Sequence, residues 1–231
     1  MVKIELGIGL RSPPQFDNSI RRTPGNESGK MLTLVTPPDE LPVSLAEARA
    51  QLGIATTTVH DAMINRLIAA VTAKLDGESG MLGRALVTQE WQLTLDCFPT
   101  EIVIPLPPLQ SVEEITYLDV AGNEQTLATD KYTVLGIAGS KRTRIVPAYG
   151  KAWPATRDFA ESVTVSFTAG YGDDEDAIPE PLRAAILLHV GHLFENRETT
   201  IVDERTAFSV EVTPYGFDDL IAPYRLWGFG S

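Results

Sequence analysis

The chain has 231 residues, 43% of them hydrophobic, with a formal net charge of −12 at pH 7 and a single cysteine. That length suits one elaborate domain or one domain with arms, while the acidity disfavours wrapping of DNA, whose affinity for proteins comes from Lys and Arg displacing counterions. Cys97 alone excludes an internal disulfide and a cysteine-based zinc site; no apolar run approaches the ~20 residues of a membrane-spanning helix, and MVKIELGIGLRSPPQF does not have the form of a secretory signal.

Residues 1–40 have the composition of an N-terminal arm: charged, rich in proline and glycine, with few large apolar side chains between Ile8 and Met31. Ser44 followed by Glu47 is a capping-box signature, and Leu45, Ala48 and Leu52 form one face of a short helix over 45–52. Thr58 and Asp61 open a longer helix over 59–79, in which Met63, Ile64, Leu67, Ile68, Val71 and Leu75 keep a 3.6-residue period.

The period then changes to two. Trp91, Leu93 and Leu95 alternate with polar residues, and a short strand follows at 101–104. The prolines of PLPPLQS are expected to interrupt the sheet, because proline donates nothing to a ladder. Segments 112–119 and 125–127 flank the turn Ala121-Gly122-Asn123, and 132–135 and 144–147 flank a second loop. Val163, Val165 and Phe167 alternate with Thr164, Ser166 and Thr168, which predicts a half-buried strand closing a β region over 86–169.

The acidic run Asp173 to Asp176, with Pro179 and Pro181, announces a helix over 181–197, since negative charge and proline both favour a helix N-terminus. Leu182, Ile186, Val190, Leu193 and Phe194 form its stripe, and Leu187 and Leu188 widen it beyond one face. Such a helix has neighbours on several sides, supplied by its own domain or by a second subunit. Residues 199–231 form a tail, with a strand pattern at Phe208, Val210 and Val212 and a short amphipathic helix carrying Phe217, Leu220, Ile221, Tyr224 and Trp227. The fold class is α+β: a helical bundle core, an inserted β-rich layer, and extended N- and C-terminal arms around a body at 41–198.

Chemistry is sparse. His189, His192 and Glu195 share one side of a helix, but HExxH needs the histidines four apart with a glutamate beside the first. Gly139-Ser140-Lys141 lacks the spacing of a phosphate loop, and no GxSxG elbow occurs. No catalytic residue, metal or cofactor is assigned; a metal-dependent enzyme using His189, His192 and Glu195 is the remote alternative.

The phrases LPVSLAEARAQLGI, IPLPPLQSVEEITYLD, RIVPAYGKAWP, VTVSFTAGYG and IPEPLRAAILLHVGHLFENRE follow one another in fixed order. Over most of 41–227 the chain resembles the head–tail connector, or adaptor, proteins of long-tailed bacteriophages and the related gene transfer agents. The resemblance implies a non-enzymatic ring of about twelve copies under the portal of a DNA-filled head. Its partners would be the portal protein and a tail-side stopper or tail-completion protein, and DNA would pass through without sequence-specific binding and without any membrane. By the same resemblance, Leu187, Leu188 and His192 are candidates for the subunit interface. Phe217, Leu220, Ile221, Tyr224 and Trp227 are candidates for a portal-gripping tail. A tail-completion or stopper factor one layer further from the head is the neighbouring alternative.

Overall fold

The computed structural model describes residues 29–139, 141–196 and 216–226. Its elements, in chain order, are β1 (Met31–Thr36), α1 (Leu45–Gln51), α2 (Asp61–Leu75), β2 (Gln89–Leu95), β3 (Ile102–Val103), β4 (Leu109–Leu118), β5 (Glu124–Thr126), β6 (Tyr132–Leu135), β7 (Arg144–Pro147), β8 (Val163–Ala169), α3 (Glu180–Glu195) and α4 (Phe217–Ile221). The architecture is α+β.

The helix starts follow local chemistry. The Ser44 hydroxyl accepts from the Glu47 N–H at 3.3 Å, the first half of the expected capping box. The second helix begins at Asp61, with His60 as its N-cap, and stops at Leu75 rather than 79. Asp76 leaves the helix in extended conformation because its carboxylate is engaged elsewhere, accepting the Leu86 N–H at 2.7 Å. Helix α3 has Pro181 in its first turn, where the missing N–H has no helical partner to lose.

Five strands form one antiparallel sheet in the order β1-β2-β8-β4-β5. Central β8 registers Gln89 against Ala169 and Leu95 against Val163 on one side, and Leu109 against Ala169 and Tyr117 against Val163 on the other. A second sheet, β3-β7-β6, is also antiparallel and is built on the expected second hairpin. Val163, Val165, Phe167 and Ala169 of β8 pack with Ile102, Ile104, Leu106 and Ile145 in a core between the sheets. At the margin Phe98 stacks on Trp153, centroids 4.8 Å apart and nearly parallel.

The helices gather into a second core. Ile64, Ile68, Val71 and Leu75 of α2 meet Leu182, Ile186 and Val190 of α3, with Leu82, Leu86 and Val87 from the connection into the sheet. The two cores join where β2 begins and β8 ends: Tyr171 N–H donates to the Leu86 carbonyl at 2.9 Å, and Thr88 N–H to that of Gly172 at 3.0 Å.

Three expectations change and a fourth is narrowed. The β region is not simply a layer inserted into a helical bundle, because β1, drawn from the expected arm, precedes the helices and pairs with β2. The helices are one of two hydrophobic cores rather than the core by themselves. The interruption expected through PLPPLQS is confined to its proline stretch, residues 105–108: β3 ends at Val103, and β4 starts at Leu109, directly after the cis Pro107–Pro108 peptide, so Leu109, Gln110 and Ser111 already belong to a strand. Residues 216–226, expected in a docking tail that extends from the body, fold back as α4 and a 3-10 turn against α3. The expected arm before Gly29 and the strand at 208–213 lie outside the described residues.

Candidate assembly surfaces

The broad apolar face of α3 is covered mostly by its own chain. Helix α2 lies along one side, Leu52 after α1 approaches Gly191, and α4 closes a third side. Leu187, a candidate for subunit contact, is only 9% exposed and belongs to this core. Leu188 and His192 are half-buried and reach the surface. The Asn196 amide nitrogen sits 3.3 Å from Nδ1 of His192, at the C-terminal end of α3.

The three candidate metal ligands do not converge. His189 is buried with its ring 4.9 Å from that of Phe217, whereas Glu195 is exposed. Among the described residues no group of three or more His, Cys, Asp or Glu side chains is placed to share a metal ion. No described helix is long and apolar enough to cross a membrane.

The candidate tail residues divide similarly. Phe217 and Ile221 are fully buried in the helical core, Leu220 and Tyr224 pack at its margin, and Trp227 lies outside the described residues. The return of the tail is held by polar contacts as well as by apolar burial. Arg84 Nε donates to the Tyr224 carbonyl, Leu226 N–H donates to the Leu82 carbonyl at 3.1 Å, and Arg225 pairs with Asp218 at 2.7 Å. Burial pushes the Tyr171 phenol above its ordinary pKa, opposed by the adjacent Arg84 guanidinium. Burial likewise raises the Asp76 carboxyl, against hydrogen bonds from Gln89 and from the Leu86 and Gly77 N–H groups.

Two surface features escape a motif search. One is the edge of the large sheet, where Met31, Leu34 and Val35 of β1 are 49%, 42% and 51% exposed. Its signal, MLTLVT between a lysine and two prolines, is too short to stand out from an arm. The other is a separation of charge. From Lys131 to Arg157 the chain has no carboxylate but carries Lys141, Arg142, Arg144 and Lys151, all exposed on or beside the β6–β7 hairpin. The acidic turn before α3 lies elsewhere, where Arg183 joins Glu47 of α1 at 2.8 Å, Glu180 at 3.4 Å and Asp176 at 3.5 Å. That network ties the start of α3 to α1.

No protein-family model and no curated protein matches this sequence. Among solved structures, the fold is similar to a chain in "Virion of native gene transfer agent (GTA) particle", with 24% identity and a TM-score of 0.67 over 87% of this chain and 98% of that one. A chain in "Neck of empty GTA particle computed with C6 symmetry" gives the same values. One in "Neck of native GTA particle computed with C12 symmetry" gives 22% and 0.60 over the same shares. The chain shares the fold of a gene-transfer-agent particle component. At these identities the likeness establishes architecture, and it spans nearly the whole of the particle chain.

Proposed function

We propose that this protein is a structural subunit of the neck of a phage-like particle: an adaptor that forms a ring beneath the portal, connects the head to the tail and lines the DNA exit. One observation carries the reading: the fold matches 98% of a chain found in neck reconstructions, including one with C12 symmetry. On that reading the copy number is about twelve, and the ring is cyclic.

The physical features are compatible with this role. A cyclic ring needs two different complementary faces on each subunit, and the chain offers differently charged surfaces at the β6–β7 hairpin and at the turn before α3. Its overall acidity limits adhesion of DNA to a channel wall. Leu188 and His192 remain candidates for subunit contact, and Leu220, Tyr224 and Trp227 remain candidates for contact with the portal.

The test is a particle preparation in which this subunit is tagged and imaged, with pull-downs against portal and tail-side proteins. Tag density as a ring directly under the portal, with portal capture, supports the adaptor. Capture of tail components alone supports a stopper or tail-completion factor. A freely soluble monomer never found in particles overturns both.

A further inference from the structure

The sheet edge at β1 is unfinished. Among the described residues β1 has a strand neighbour on one side only, β2, so its outer row of backbone N–H and C=O groups has no ladder. Natural edges are blunted by charge, proline or distortion. β1 carries neither charge nor proline, and its one irregularity is a bulge at Val35, between Leu34 and Thr36.

The apolar face of the sheet also continues past this edge. Leu32 pairs with Leu93 and packs on the inter-sheet core, while Leu34 pairs with Trp91 and is 42% exposed. Two grooves run beside these side chains, one lined by Lys30, Leu32, Val103 and Arg142 and the other by Leu34, Pro38 and Trp91, with Glu78 common to both. The Trp91 Nε1–H is shielded from water yet meets no acceptor among the described residues. A trough of this kind is completed by a strand with apolar side chains on one face and backbone carbonyls along its length.

The sequence contains such a segment. In Val2-Lys3-Ile4-Glu5-Leu6-Gly7-Ile8-Gly9-Leu10 every even position is apolar and every odd one is polar or glycine. This is the period of a strand with one buried face. We propose that residues 2–10 of a neighbouring copy add as an outer strand to β1, placing their apolar face over Leu32 and Leu34. This rests on the ring reading above. The link permits exchange between copies: residues 11–30 are long enough to reach about 65 Å at full extension. That exceeds the width of a domain of this size, about 40 Å, and far exceeds the two to five residues of a hairpin.

The test uses the full chain in a Cys97→Ser background. Leu34→Cys is placed in one tagged version, and cysteines at positions 3 to 8, one at a time, in another. The two are mixed, assembled and oxidised, while particle mass records ring formation independently. Disulfides between differently tagged copies, several-fold stronger at Ile4→Cys, Leu6→Cys and Ile8→Cys than at Lys3→Cys, Glu5→Cys and Gly7→Cys, support the exchange, because only a paired strand gives a period of two. Rings that form with no disulfide, or with disulfides showing no alternation, overturn it and leave the ring reading intact. Bonds confined to one chain, when Leu34→Cys and Ile4→Cys are combined in a single copy, overturn it in favour of self-capping. Alternating bonds without rings support strand exchange and count against the ring.

Discussion

The ring of Phe217 lies 4.9 Å from that of His189, with 37° between their planes, and Phe217 is fully buried. A residue near the end of the chain therefore helps to close the helical core, and the segment after α3 is a structural part of the domain as well as a candidate for docking. Phe217→Ala is expected to lower stability by about 3–5 kcal/mol, the range for removing a buried aromatic ring. Urea unfolding followed by tryptophan fluorescence measures this; an unchanged midpoint would show that α4 is not held as described.

Arg84 connects the same segment to the junction of the two cores. It is 3% exposed, it donates through Nε to the Tyr224 carbonyl, and its guanidinium lies beside the Tyr171 phenol. Arg84→Met is expected to remove about 1.5–3 kcal/mol, as for a hydrogen bond to a charged group. Arg84→Lys should restore little of it, because an ammonium lacks the planar fork that reaches two partners. Chymotryptic cleavage after Tyr224 or Leu226 should accelerate in both variants. Cleavage at the wild-type rate argues against Arg84 holding this segment.

Asp76 gives a pH signature of defined sign. Burial raises its carboxyl above the ordinary 3.8, so the folded protein holds that proton more tightly than the unfolded chain does. The contribution of Asp76 to stability, measured against the Asp76→Asn variant, is therefore greatest on the acid side and declines as pH rises from about 3.8 through the folded-state value, then levels off. Denaturation of the wild type and Asp76→Asn from pH 4 to pH 7 reads the difference. A difference that grows with pH would mean that the Gln89 and backbone hydrogen bonds dominate burial.

Gly170 sits at the join of strand and helix with φ +137°, and a Cβ there would lie 2.5 Å from the Val87 carbonyl oxygen. Neither contact nor conformation is relieved by a side-chain movement. Gly170→Ala is expected to cost about 1–3 kcal/mol through backbone strain. Gly53→Ala, also at positive φ but with open space around its Cβ, is the control that separates strain from collision. Thermal or urea unfolding of the two variants makes the comparison, and equal losses would mean that the collision adds nothing.

Local pattern by itself determined most of the elements. The period of 3.6 in α2, the period of two in β8, the Ser44 cap and the proline start of α3 depend on residues a few positions apart, and short-range sterics and hydrogen bonding decide them. Helix α2 ends early because of a bond to Leu86, ten residues onward, which no window around the helix contains. Only the tertiary structure decided which apolar surface stays open. Leu187 and Phe217 look alike in sequence to docking residues, and both lie in the helical core, Phe217 because α4 returns across α3, a contact between segments separated by chain that local periodicity does not connect. β1 is the converse: six uncharged residues at the end of an arm-like segment become a sheet edge because β2 offers them a ladder. Burial is a property of the whole packing, so a sequence marks surfaces that must be covered, while the fold determines which of them the chain covers itself.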